Sequence, residues 1–117
     1  MILKYKNLIE TNPVAFASVD KNNKPNVIGV AYIKVIDGKN VLITDNYMNK
    51  TKENLTTNNN VCLAIWDKKW KGIKIIGKAK YYTEGKYLNL VKELKENKGL
   101  PSKGAILIKV SKLIELK

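Results

Sequence analysis

The chain has 117 residues, 44% of them hydrophobic, which suits one small domain with a core and excludes a wholly disordered chain. Its formal net charge is +12, carried by lysine alone, because the sequence holds neither arginine nor histidine. That excludes histidine acid–base chemistry and histidine-ligated metal, and it removes the arginine fork that reads guanine edges. The lysines run from Lys4 to Lys117 without clustering, as on a solvated surface. A nucleic-acid partner is therefore not expected, and a basic nucleic-acid-binding barrel stands as the rival reading. The apolar runs fall short of a membrane span, and the N-terminus lacks the apolar segment of a signal peptide, so a cytoplasmic protein is expected. Cys62, the one cysteine, lies in an apolar run and reads as a small core residue.

In chain order, Lys4 to Glu10 predicts a short helix with Leu8 and Ile9 on its apolar side, ended by Asn12-Pro13. Val14 to Val19 predicts a strand, and Asp20 to Pro25 a turn. Val27 to Ile36 is one long apolar run with Gly29 near its start. Asp37-Gly38 signals a tight hairpin returning through Val41 to Thr44, so these pieces predict an antiparallel meander. Lys50 to Thr57 predicts a short polar helix, broken by Asn58-Asn59-Asn60. Val61 to Trp66 and Ile73 to Tyr82 predict strands flanking a lysine-bearing turn. In the second of them Lys74, Lys78 and Lys80 face one way and Gly77 marks a bulge or a close backbone contact. Thr83 is placed to cap a helix from Glu84 to about Asn97, with an apolar stripe of Leu88, Val91 and Leu94 and a stop at Gly99. Ala105 to Leu116 closes the chain as a strand or a broken pair of strands. The whole reads as mainly β: a six-stranded antiparallel barrel with two or three short helices.

Three places have chemistry to offer. The helix start at Asn49-Lys50-Thr51, after the strand end Thr44-Asp45, combines a cap, a cation and a hydroxyl with unpaired backbone N–H groups, which suits a phosphate. The bland alternative is a capped surface helix with solvated lysines. In Asn26 to Ala31, Gly29 lets a planar ligand approach a strand edge whose alternating N–H and C=O groups match the imide edge of a flavin. Its alternative is a buried strand with a packing glycine. Trp66 and Trp70 flank the lysine-bearing turn and are able to cover an aromatic ring or stack a base; the alternative is one core and one exposed tryptophan. The turn aspartates show no spacing that argues for acid–base or metal work.

Taken in order, these pieces resemble the pyridoxamine 5′-phosphate oxidase-like FMN-binding split-barrel family, and most closely its small single-domain members. Val14 to Val19 looks like the first barrel strand and Lys24-Pro25-Asn26-Val27 like the start of the second. Tyr32 to Gly38 looks like the following hairpin, Met48 to Leu55 like the family's helix, and Gly72 to Ala79 like its strand with an internal glycine. The resemblance implies a single split-barrel domain over residues 1–117 and a homodimer with FMN at the subunit interface. By carry-over, Lys50 and Thr51 hold the FMN phosphate with Asn49 nearby. Val27, Ile28, Gly29 and Val30 line the isoalloxazine ring, Thr44 and Asp45 lie near the ribityl chain or phosphate, and Trp66 or Trp70 closes the pocket from this chain or its partner. Pyridoxamine phosphate oxidases themselves use arginine and histidine to hold the substrate phosphate and flavin; their absence here argues against that particular oxidation, and the expectation is a flavoprotein acting in electron or hydride transfer through FMN. A split barrel holding deazaflavin or haem is the other alternative.

Overall fold

The computed structural model describes residues 1–116. In chain order its elements are α1 (Lys6–Thr11), β1 (Val14–Val19), β2 (Pro25–Val30), β3 (Ile33–Val35), β4 (Asn40–Asp45), α2 (Lys50–Leu55), β5 (Asn60–Trp66), β6 (Gly72–Tyr82), α3 (Lys86–Glu93) and β7 (Gly104–Leu116). Single 3-10 turns precede α1 and follow α3. The strands form one antiparallel sheet in the order β2-β1-β5-β6-β7-β4-β3.

The mainly β, split-barrel architecture is the expected one, with seven strands in place of six. The run from Val27 to Ile36 breaks at a bend on Ala31, so that β2 ends at Val30 and β3 starts at Ile33. The expected meander is corrected by the same break. β1–β2 and β3–β4 are separate hairpins, and β2 and β3 stand at opposite edges of the sheet. Only three residue steps join those edges, which confines them to about 10 Å of each other at this point. A sheet whose two edges must meet there has to curl, and that is what makes the barrel.

The curl encloses the main core, built from the inward residues Phe16, Ile33, Val41, Ile43, Leu63, Ile65, Ile73, Ile75, Ile106 and Ile108. Strict alternation along β1 and β5 supplies this face, as period-two geometry requires. A second cluster lies outside the barrel, where α3 lays Leu88 and Val91 against Leu42 and Ala105. α3 is shorter than the sequence predicts and is not capped by Thr83. It starts after Gly85, whose φ of 93° suits glycine, and stops where Leu94 turns extended. Gly77 does mark both features expected of it. The β6–β7 register shifts between Ile76 and Gly77, and a Cβ on Gly77 would lie 2.4 Å from the Lys109 carbonyl oxygen. β7 is one continuous strand. No helix among the described residues is long and apolar enough to cross a membrane.

Candidate functional site

β2 pairs with β1 on one side only, so its other side is a free edge. A cleft of about 440 Å³ opens there, between β2 and the segment that leaves β4 and enters α2. Asn26, Ile28, Gly29, Val30 and Ala31 form one wall, and Thr44 with Asn46 to Thr51 form the other; Leu100 reaches in from the loop before β7. At the Asn26 end the cleft is polar, because Asn26 Nδ2 donates to Thr51 Oγ1 at 3.3 Å and Lys50 is adjacent. Further along β2 it becomes apolar, through Ile28, Val30, Met48 and Leu100.

The far wall is held rigidly from below. Asp45 is fully buried, and its carboxylate accepts the Met48 N–H at 2.8 Å and the Tyr81 hydroxyl at 2.6 Å. The Lys103 ammonium lies 3.8 Å from the same carboxylate and donates to the Met48 carbonyl at 3.0 Å. Burial raises the Tyr81 hydroxyl pKa, and its bond to Asp45 raises it further, so the phenol stays a donor. Two more contacts fix the wall to the loop that carries Leu100. The Ser102 N–H donates to Asn46 Oδ1, and Asn97 Nδ2 donates to Thr44 Oγ1, both at 2.8 Å.

The cleft thus brings together Ile28, Gly29, Val30, Thr44, Asn49, Lys50 and Thr51 from the residues singled out in the sequence. Asn49 occupies the N-cap position of α2, yet its side chain makes no capping bond; its backbone carbonyl accepts the Glu53 N–H. Thr51 is buried, while Lys50 is half exposed and leans towards Asp20 and Glu53. Asp45 lies behind the wall with its carboxylate turned into the fold. Val27 points the opposite way from Ile28 and lines a neighbouring apolar groove of about 340 Å³ with Pro13, Ala15 and Trp66, to which Ile28 and Gly29 also contribute. Trp66 stacks on Trp70 at 6.0 Å between ring centroids, and Trp70 is 75% exposed at the tip of the β5–β6 turn. Within one chain neither tryptophan lines the main cleft.

Leu100 is the lining residue that sequence reasoning missed. Its only signal was an apolar side chain set between Gly99 and Pro101, where turn chemistry predicts a polar one. Asn46, Tyr47 and Met48 lay inside the segment already suspected, without a role attached. Cys62 is not the core residue expected, because the alternation of β5 turns it outward, only partly buried; burial still raises its thiol pKa, against an opposing effect from Lys74.

A curled antiparallel sheet with a cleft at its free edge defines the split-barrel class. The chain belongs to the pyridoxamine 5′-phosphate oxidase family, whose family model matches residues 4–117. It is 37% identical over 113 residues to an uncharacterized protein of Methanocaldococcus jannaschii, covering 93% of this chain and 76% of that one. Among solved structures it is similar to HupZ of Group A Streptococcus, with a TM-score of 0.89, 27% identity and coverage of 99% of this chain and 94% of that chain. An FMN-binding protein from Syntrophomonas wolfei shares the fold at a TM-score of 0.77 and 18% identity, covering 95% of this chain and 80% of that chain.

Proposed function

We propose that the cleft holds FMN and that the protein is a flavoprotein acting in electron or hydride transfer, as a homodimer with the cleft at the subunit interface. The observation that carries the reading is a cleft with a polar end and an apolar length, lying along a bare strand edge, in a member of this family. The residues suit the group. A Cβ built on Gly29 would meet nothing within 4 Å, so neither packing inside the chain nor its backbone angle calls for glycine here. Gly29 alternates with Ile28 and Val30 and borders both the cleft and the Val27 groove, so its missing side chain leaves open backbone between the two, where a flat ring would fit. From Asn26 to Val30 the strand runs about 13 Å, room for a phosphate at one end and an aromatic ring at the other. The volume lies within the range of cofactor sites.

Thr51 and Lys50 would take the phosphate, and the free N–H and C=O groups of β2 would meet the polar edge of the ring. Met48, Tyr47 and Leu100 would keep water from its face. Bound FMN would supply the redox chemistry, while this chain orients it. The lack of arginine and histidine separates this reading from pyridoxamine phosphate oxidation itself. The dimer draws support from the outer face of β1, β5 and β6, which α3 leaves uncovered. There the register lines up Ala17, Cys62 and Ile76 in one row and Gly29, Ala15 and Ala64 in the next, beside the exposed Val27 and Trp66.

The test is the visible spectrum of the purified protein, followed by titration with FMN and riboflavin. A flavin band and saturable FMN binding are expected, and Lys50→Ala with Thr51→Ala should weaken FMN more than riboflavin. A colourless protein that ignores both flavins would sink the reading; a deazaflavin or haem spectrum would replace the cofactor and keep the fold. Sedimentation should give twice the 13.2 kDa chain mass, and a persistent monomer would remove the dimer.

A further inference from the structure

We infer that Asp20 and Glu53 hold the Lys50 ammonium outside the cleft, and that they thereby set how strongly the site prefers a phosphate-bearing ligand to its phosphate-free counterpart. The inference rests on the flavin reading above.

α2 separates two clefts, and Lys50 lines both of them. The second holds about 270 Å³ between the β1–β2 turn and the flank of α2, where Asp20, Glu53 and Asn54 line it together with a second cation, Lys21. The Lys50 Nζ lies 3.9 Å from Asp20 Oδ2 and 3.6 Å from Glu53 Oε1. Both distances exceed a charge-assisted hydrogen bond, and the side chain is about half exposed, so the ammonium is drawn this way without being locked. Asp20 cannot follow it. Its Oδ1 accepts the Asn22 and Lys24 N–H groups at 2.8 and 2.9 Å, which fixes the carboxylate and leaves Oδ2 for a cation. Asn54 lines the same cleft at 1% exposure; its Nδ2 donates to Ser18 Oγ, and its Oδ1 has no hydrogen-bond partner among the described residues.

The cleft proposed for the flavin is built differently. Its lining contains no carboxylate, and Lys50 is its one charged residue among those described. With nothing anionic in that cleft, the acidic side holds the lysine by default. A phosphate must draw it back across α2, and the flexible four-carbon stem permits the move. Each phosphate contact is therefore made against the pull of two acids, while a ligand without phosphate is indifferent to them.

The experiment compares Kd for FMN and riboflavin at low salt by quenching of flavin fluorescence, in the unsubstituted protein and in Asp20→Asn with Glu53→Gln. Asparagine keeps an acceptor for the turn at position 20, and Glu53→Gln alone, at an exposed side chain, serves if the double variant folds poorly. The preference for FMN should rise about two- to five-fold in the double variant, less in the single one. In a Lys50→Ala background the same substitutions should leave the preference unchanged, as should Glu84→Gln, an exposed acid outside both clefts. An unchanged or reduced preference overturns the inference. So does an equal rise in the Lys50→Ala background, which would mean that the acids act on the phosphate directly. Failure of the flavin reading looks different: the unsubstituted protein then binds neither flavin, and the inference falls with it.

Discussion

At the β3 edge of the sheet α1 packs alongside, Glu10 accepts the Val35 N–H at 2.8 Å, and Lys6 and Lys34 hold the Glu10 carboxylate in place. At the β2 edge the backbone faces a cleft, and Gly29 withholds even a methyl group. Both strands are short, apolar and next to each other in the chain. An unprotected edge invites pairing with another molecule, and proteins usually cover or charge it. One edge here follows that rule through a helix and the partly buried Glu10 carboxylate. The other departs from it at the place where the fold also gathers its polar side chains. The contrast accords with the proposal that the open edge belongs to a binding site and is not a lapse in the design.

Three substitutions break or sharpen this contrast. The largest effect is expected on the wall that faces the open edge. Asp45→Ala strands the Tyr81 hydroxyl and the Met48 N–H, and should cost about 3 kcal/mol in urea unfolding, with flavin binding lost alongside. A loss below about 0.5 kcal/mol would show that the wall is not held from Asp45.

Next comes the sealed edge. Glu10→Ala unpairs the Val35 N–H and should cost about 1–2 kcal/mol while raising concentration-dependent aggregation. The effect has a pH signature. Burial by itself raises the Glu10 pKa, but the Lys6 ammonium, the Val35 N–H and Lys34 together outweigh it, and the net value falls below the ordinary 4.5. A lowered folded-state pKa gives stability that is complete above the unfolded value and is lost as pH falls through the folded one. The gap in stability between parent and variant should thus be full near pH 6 and shrink as the pH drops below about 4. A gap that ignores acid would rule out the charged form as the seal.

The smallest stability effect belongs to the open edge. Gly29→Leu meets nothing within one chain and should leave the protomer's fold intact; because position 29 also lies on the face proposed for the dimer, affinity is compared at matched oligomeric state, where FMN should weaken about ten-fold. Equal affinity would mean that the ring does not lie on this backbone. Gly29→Leu and Glu10→Ala thus separate the edges: one substitution spares the fold and harms binding, the other harms the fold first.

Local signals in the sequence located β1, β4, α2, β5 and β6 closely, because turn residues bound each of them. They did not show where the run from Val27 to Ile36 breaks. Its residues are apolar on both sides of Ala31, and the break is set by which edge each half must join. Asp45 illustrates the same limit in the site. An aspartate at a strand end reads equally as a ligand contact or as a structural anchor, and only Tyr81 and Lys103, distant in the chain, decide its direction. Leu100 needed the Asn46–Ser102 and Thr44–Asn97 bonds to reach the cleft, all of them long-range. The cleft wall from Thr44 to Thr51 was legible because its residues are contiguous.

The place of β7 in the sheet has a consequence for biosynthesis. The β3–β4 hairpin joins the remaining strands only through β7, which follows every other element in the chain. On the ribosome, β1, β2, β5 and β6 are able to pair as soon as they emerge, while β4 waits for residues 104–116. The cleft needs β2 from the early group and the far end of β4 from the waiting one. A nascent chain would therefore lack a complete cleft until residues 104–116 have emerged, and any ligand the cleft takes would have to wait for β7 to find its two neighbours.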